Sequence, residues 1–213
     1  MVASYEPVKE LMSNYSELKP CESQITEAVE VIVDSMRQQG TLLICGNGGS
    51  AADSGHIVGE LLKGFEDDRP VSEATKEELT DSYPDHGEYL SENLQGSLPA
   101  ISLASHTAFL TAYANDVAPD MGFAQQVHGY GREGDVLLGL STSGNSENVV
   151  NAMRVANTQG LETVGLTGPD GGKMESLCDV TVQVPGSSTA EIQERHLPVY
   201  HTICRALEQE FFK

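Results

Sequence analysis

The chain has 213 residues, 39% of them hydrophobic, and a formal charge of −20 at neutral pH, which suits one α/β domain around a single core. So acidic a chain is a poor partner for nucleic acid, whose phosphates are held mainly by lysine and arginine, and no apolar run reaches the ~20 residues of a membrane span. Glu6, Lys9, Glu10 and Glu17 interrupt residues 1–20, so this stretch does not read as a secretion signal and the expected location is the cytoplasm.

In chain order, the first signal is a pair of amphipathic helices. Tyr5, Val8, Met12 and Tyr15, then Ile25, Val29, Ile32 and Met36, recur at spacings of three and four. Their apolar faces exceed what a small sandwich must bury, so residues 1–38 are expected to pack between subunits as a helical bundle. Five β-rich runs follow, at 41–45, 100–103, 136–140, 163–166 and 180–184. Helical stretches separate most of them, which means right-handed crossovers, a five-stranded parallel sheet and a three-layer αβα sandwich of the flavodoxin-like kind. Ligands in such folds bind at the carboxyl ends of the strands. Residues 66–96 break the pattern: they are acidic, carry Pro70 and Pro84, and read as an exposed insertion with one short helix over 73–79. The four cysteines, Cys21, Cys45, Cys178 and Cys204, show no CxxC pairing and read as structural thiols.

Two loops carry the chemistry. Cys45-Gly46-Asn47-Gly48-Gly49-Ser50 and Ser141-Thr142-Ser143-Gly144-Asn145-Ser146 each follow a strand and open a helix. Glycines let the backbone approach an oxyanion, hydroxyls donate to it, and the helix start presents unpaired N–H groups. Ser50, Ser141, Thr142, Ser143 and Ser146 are therefore candidate phosphate ligands. Helix capping alone also favours Ser and Thr, but the hydroxyl density of residues 141–146 favours binding. Two such loops in one parallel sheet suggest a sugar phosphate rather than a nucleotide. His56 and Glu60 are four apart on the helix that Ser50 opens and share a face, and Gln193 and His201 are eight apart on the C-terminal helical segment. Taken alone, the histidines read as structural and Glu60 as a solvated carboxylate; His106 and His128 stay structural.

Together, Gly46-Asn47-Gly48-Gly49-Ser50, Gly134-Asp135-Val136-Leu137-Leu138 leading into 141–146, Leu166-Thr167-Gly168 before Asp170-Gly171-Gly172, and Ile192-Gln193-Glu194 resemble the sugar isomerase (SIS) domain family. Within it they are most similar to the phosphoheptose isomerases. The resemblance implies an intramolecular oxidoreductase, an aldose–ketose isomerase that converts sedoheptulose 7-phosphate to a D-glycero-D-manno-heptose 7-phosphate through an enediol or enediolate, toward bacterial surface heptose. It implies a homotetramer with sites between subunits. Glu60 and His201 then resemble the family's base and proton-transferring partner. His56, Glu60, Gln193 and His201 resemble a zinc site, and zinc could act as a Lewis acid. Asn47 and Gly48, the pair Asn115 and Asp116, and Gln193 resemble substrate-binding positions.

The chain also departs from the family pattern. Gly64 stands where the pocket commonly has an arginine, with Lys63 as a substitute, and Ala190-Glu191 stands where an acidic residue and an arginine often precede Ile-Gln. Pro198 falls between Gln193 and His201 and removes a helical hydrogen bond. These leave another phosphosugar open as substrate. A non-catalytic SIS scaffold of the replication-initiator-associating kind is the alternative from another class, but to our reading such binders lack the equivalents of Glu60 and His201. A sugar-phosphate-sensing regulator would usually place a helix-turn-helix domain before the SIS fold, and some forty N-terminal residues leave little room for one.

Overall fold

The five apolar runs form one parallel sheet in a computed structural model that describes residues 5–213. The strands are β1 (Leu42–Gly46), β2 (Ala100–Ser102), β3 (Val136–Ser141), β4 (Glu162–Thr167) and β5 (Val180–Gln183). They lie in the order β2-β1-β3-β4-β5. Because helices cover both faces, the central strands are apolar throughout rather than alternating, and β1 and β3 are buried at every position. The period of two sorts their side chains: Leu42 and Ile44 enter one core, Leu43 and Cys45 the other. The register pairs Leu43 with Leu137 and Cys45 with Gly139.

One face is covered by α1 (Glu6–Asn14), α2 (Glu22–Arg37), α3 (Gly49–Leu62) and the long α9 (Thr189–Phe212). The other carries α7 (Gly122–Tyr130) and α8 (Glu147–Gln159), with Phe123, Val127, Val149 and Met153 in its core. Between α3 and β2 stand α4 (Glu73–Ser82) and α5 (Gly87–Asn93), and α6 (Thr107–Asp116) lies outside α7. The helix α9 runs unbroken through Pro198. Among the described residues no helix is long and apolar enough to cross a membrane. All four cysteines are free, as the spacing predicts, and burial pushes the Cys204 thiol up to about 12.

Two expectations change. The apolar faces of α1 and α2 are consumed inside the protomer: Val8, Leu11, Ile25, Val29 and Ile32 are buried against α9 and the sheet. Their apolar faces therefore do not by themselves point to a subunit interface; residues 1–4 of the 1–38 segment lie outside the described residues. The acidic stretch 66–96 is not a plain exposed excursion either, since it forms two helices rather than one and buries Arg69 completely. Its charge hid the local order: Ser72 caps α4 by accepting from the Thr75 N–H.

His196, in the middle of α9, is fully buried. Its Nε2–H donates to the Thr167 carbonyl at the end of β4 over 3.3 Å, leaving Nδ1 buried without a partner. Burial pushes this imidazole down to about 4, against the pull of the Thr167 carbonyl. In the unfolded chain it titrates near 6.5, so between these values the unfolded state binds the extra proton. Stability present above pH 6.5 is therefore lost as the pH falls toward 4, by about 3 kcal/mol from this group. Urea unfolding of the wild type and His196→Leu between pH 7.5 and 4 checks this: the variant should show the shallower decline, and parallel curves would acquit His196.

Candidate active site

In the order β2-β1-β3, the connections after β1 and β3 depart in opposite directions, and the crevice between them is where ligands of doubly wound sheets sit. Both hydroxyl-rich loops open there. After β1, Gly48 takes a left-handed φ of 56°, and Ser50 packs so closely under Gly46 that a Cβ there would lie 2.8 Å from the serine Cβ. After β3, Gly144 (φ 61°) turns over the Gly171 carbonyl, where a Cβ would come within 1.9 Å. Ser141 and Ser146 hydroxyls meet at 3.0 Å, and Ser143 Oγ accepts from the Asn145 N–H. A reciprocal amide pair ties the loops together: Asn47 and Asn148 exchange hydrogen bonds of 2.9 and 2.8 Å. Thr142, Ser143 and Asn145 also line a cavity of about 330 Å³ with Ser187 and Ser188 at the start of α9.

Farther along α3, the predicted acid–base residues meet. His56 Nε2 lies 3.2 Å from Glu60 Oε1, and Lys63 Nζ donates to Glu60 Oε2 over 2.6 Å. From α9, the His201 ring stands edge-on to His56 with centroids 5.0 Å apart, and Phe65 covers its other side at 5.3 Å. His201 Nε2 is buried without a hydrogen-bond partner. Burial, then the neighbouring His56, pushes the His201 imidazole down, which favours its neutral form. Pro198 does not disturb this meeting, because α9 continues helical on both sides of it.

Other predicted members are placed differently. Gln193 turns its amide onto Gly49, where a Cβ would sit 2.6 Å from its Nε2. That contact is seven residues before His56, about 10 Å along the axis of α3. Asn115 and Asp116 end α6, exposed and bonded to each other, with no hydrogen bond among the described residues to the loops or the histidines. His106 is bonded to Gln126. Sequence reasoning missed Asn148, Tyr200 and Asp53. Tyr200 Oη lies 3.1 Å from His56 Nδ1 and donates to Asp53 Oδ1 over 3.2 Å. Burial pushes the Asp53 carboxyl up from its ordinary value, opposed by this hydrogen bond. The spacing of Asp53 and His56, three apart on α3, was the available signal.

The donor types suit zinc: a carboxylate and two imidazoles, one of which, His201, has a buried nitrogen without a partner. Among the described residues, however, no group of three or more His, Cys, Asp or Glu side chains is already placed to hold a metal.

A family model for the SIS domain matches residues 5–85 and 93–168. The chain belongs to the SIS domain family. Within that family it joins the phosphoheptose isomerases. The phosphoheptose isomerase of Nitratiruptor sp. is 39% identical over 181 residues, covering 85% of this chain and 83% of that one. The one of Rhodospirillum rubrum is 40% identical over 191 residues, covering 90% and 88%. The solved structure of phosphoheptose isomerase from Neisseria gonorrhoeae superposes with a TM-score of 0.71 at 31% identity, covering 94% of this chain and 98% of that one.

The SIS match spans residues 5–85 and resumes at 93, and so includes part of the acidic stretch 66–96. Its first turn explains Gly64: a Cβ there would lie 2.5 Å from the Asp67 carbonyl, so this backbone excludes any side chain. The turn is held by Glu208 of α9, which accepts from the N–H groups of Phe65, Glu66 and Asp67 and from Arg69 Nε at 2.7 Å. Arg69 in turn donates to the carbonyls of Leu61 and Glu60 at the end of α3 and stacks on Phe212. Burial pushes the Glu208 carboxyl up, but these donors outweigh it and hold it below the usual range. Removing one partner of a buried pair strands the other charge, at about 3–5 kcal/mol. Glu208→Gln should lose stability of that order in urea unfolding; a loss under about 1 kcal/mol would show that the clamp is not structural.

Proposed function

We infer that this protein is an aldose–ketose isomerase that interconverts sedoheptulose 7-phosphate and D-glycero-D-manno-heptose 7-phosphate. The observation that carries the reading is the meeting of Glu60, His56 and His201 between α3 and α9, beside two loops built for an oxyanion, in a chain of this family. The reaction moves one proton between adjacent carbons and exchanges the hydroxyl and carbonyl of their oxygens, so it needs a base, a proton carrier between the oxygens, and something to polarise the carbonyl.

Glu60 is proposed as the base. One carboxylate oxygen is held by Lys63 and the other, beside His56 Nε2 at 3.2 Å, would take the proton from the carbon beside the carbonyl and return it to the neighbouring carbon. His201, neutral and with a buried unpartnered nitrogen, moves the proton between the substrate oxygens. Ser50, Ser141, Thr142, Ser143 and Ser146 bind the phosphate by hydroxyls and backbone N–H groups, which needs no cationic surface and so accords with the net acidity. Asn47, Gly48 and Gln193 border the same crevice and are proposed to position the sugar.

We also propose that His56, Glu60 and His201 hold a zinc ion; Gln193, which the sequence also offered as a ligand, lies against Gly49 about two turns away and is not placed to join them. When bound it would supply a Lewis acid for the substrate carbonyl. A cytoplasmic homotetramer with sites between subunits belongs to the same reading. Its support is α6, whose apolar sequence buries no residue within the chain and whose end carries Asn115 and Asp116. These two would then complete a neighbouring subunit's site.

Incubation of the purified protein with a panel of ketose phosphates, with the products identified, tests the activity. Sedoheptulose 7-phosphate should be converted, and Glu60→Gln should lower kcat by about 10²–10⁴-fold, the usual contribution of a general base. No turnover of any ketose phosphate would favour a phosphosugar-binding scaffold instead.

Elemental analysis of protein purified without chelator should find one zinc per chain, lost in His201→Ala. If no zinc binds even after incubation with the metal, the zinc proposal falls and the isomerase reading stands.

A further inference from the structure

The histidine cluster contains a hydrogen-bond chain that the proposed reaction does not use. It starts at Asp53, passes through Tyr200 and ends on His56 Nδ1. Tyr200 is 1% exposed and its ring is fixed edge-on to both His56 (5.6 Å between centroids) and His201 (5.0 Å). A phenol has one proton to give, and an ionised carboxylate can only accept. With the Tyr200 proton directed to Asp53, the phenol oxygen must accept from His56, so the imidazole proton sits on Nδ1. Nε2 is then left with its lone pair aimed at Glu60 Oε1, 3.2 Å away. Two acceptors so close repel unless a positive centre lies between them, so in the metal-free protein the proton is held on Nδ1 by the Tyr200–Asp53 pair alone.

We propose that Tyr200 and Asp53 are positioning residues: they fix His56 as the Nδ1–H tautomer and so present its Nε2, rather than an N–H, to Glu60 and the reaction site. Among the described residues neither makes a hydrogen bond to the loops that bind phosphate. They act through His56, as outer partners that fix the tautomer and orientation of a working histidine do elsewhere. Loss of such a partner typically costs about 10–100-fold in activity or metal affinity. Their place in catalysis rests on the isomerase reading, whereas the tautomer itself does not.

The test is nitrogen NMR of the histidine rings in the metal-free protein at pH 8.5, together with steady-state kinetics on sedoheptulose 7-phosphate. In the wild type, His56 should carry its proton on Nδ1 with a bare Nε2. In Tyr200→Phe, which keeps the ring and loses only the hydroxyl, the population should shift toward Nε2–H, and kcat should fall about 10–100-fold with KM changed less than twofold. In Asp53→Ala the Tyr200 proton is released to His56 Nδ1, so the same shift should appear with Tyr200 intact. A wild-type His56 protonated on Nε2, or a tautomer unmoved by both substitutions, would overturn the proposal. A tautomer that shifts as stated in a protein that turns over no ketose phosphate would uphold the relay and remove the isomerase reading instead.

Discussion

The contact between α3 and α9 is the constraint on which the site depends. These helices lie on the same face of the sheet, one leaving the first hydroxyl-rich loop, the other returning after the last strand. At one end Gln193 fills the space over Gly49; two turns on, His201 faces His56; at the far end Arg69, held by Glu208, donates to the carbonyls that finish α3. The spacing of eight between Gln193 and His201 on α9 matches the seven between Gly49 and His56 on α3. The two rods therefore stay in step, and a change in the packing of either would displace a loop contact and an acid–base contact together.

This arrangement also reconciles an acidic chain with an anionic substrate. The loops at the β1 and β3 ends rely on neutral donors, N–H groups and hydroxyls, whose effect is confined to a few ångströms. The surface charge beyond them is screened by salt and chiefly keeps the molecules apart in solution. The cations that matter are placed individually: Lys63 on Glu60, and Arg69 buried where a loop must be closed.

Much of this was legible in the sequence, for physical reasons. Each of the five strands was found to within two residues at either end, because a parallel sheet covered on both faces needs uninterrupted apolar runs between helical ones. The pair His56 and Glu60 was legible because a spacing of four places side chains together on any helix. What spacing cannot report is contact across the chain. Tyr200 reads as one more core aromatic of α9, and only its distance to Asp53, 147 positions earlier, shows that its hydroxyl has work to do. The burial of α1 and α2 was misjudged for the same reason: their apolar faces were visible, but not that α9 of the same chain covers them. In the acidic stretch, composition concealed one arginine whose partner, Glu208, lies 139 residues on.

That separation bears on how the molecule is made. The segment joining α3 to α4 is held by a carboxylate 139 residues beyond Arg69, so the end of α3 and the turn at Gly64 lack their fixing contacts until α9 has been synthesised. Strands and helices of the central sheet can associate as they emerge, domain folding being able to begin during synthesis. The Glu60 end of the site cannot, because closing so long a loop has to await α9. A ribosome-bound chain stopped before residue 208 would thus hold a sheet and two open loops while its acid–base face is still unformed.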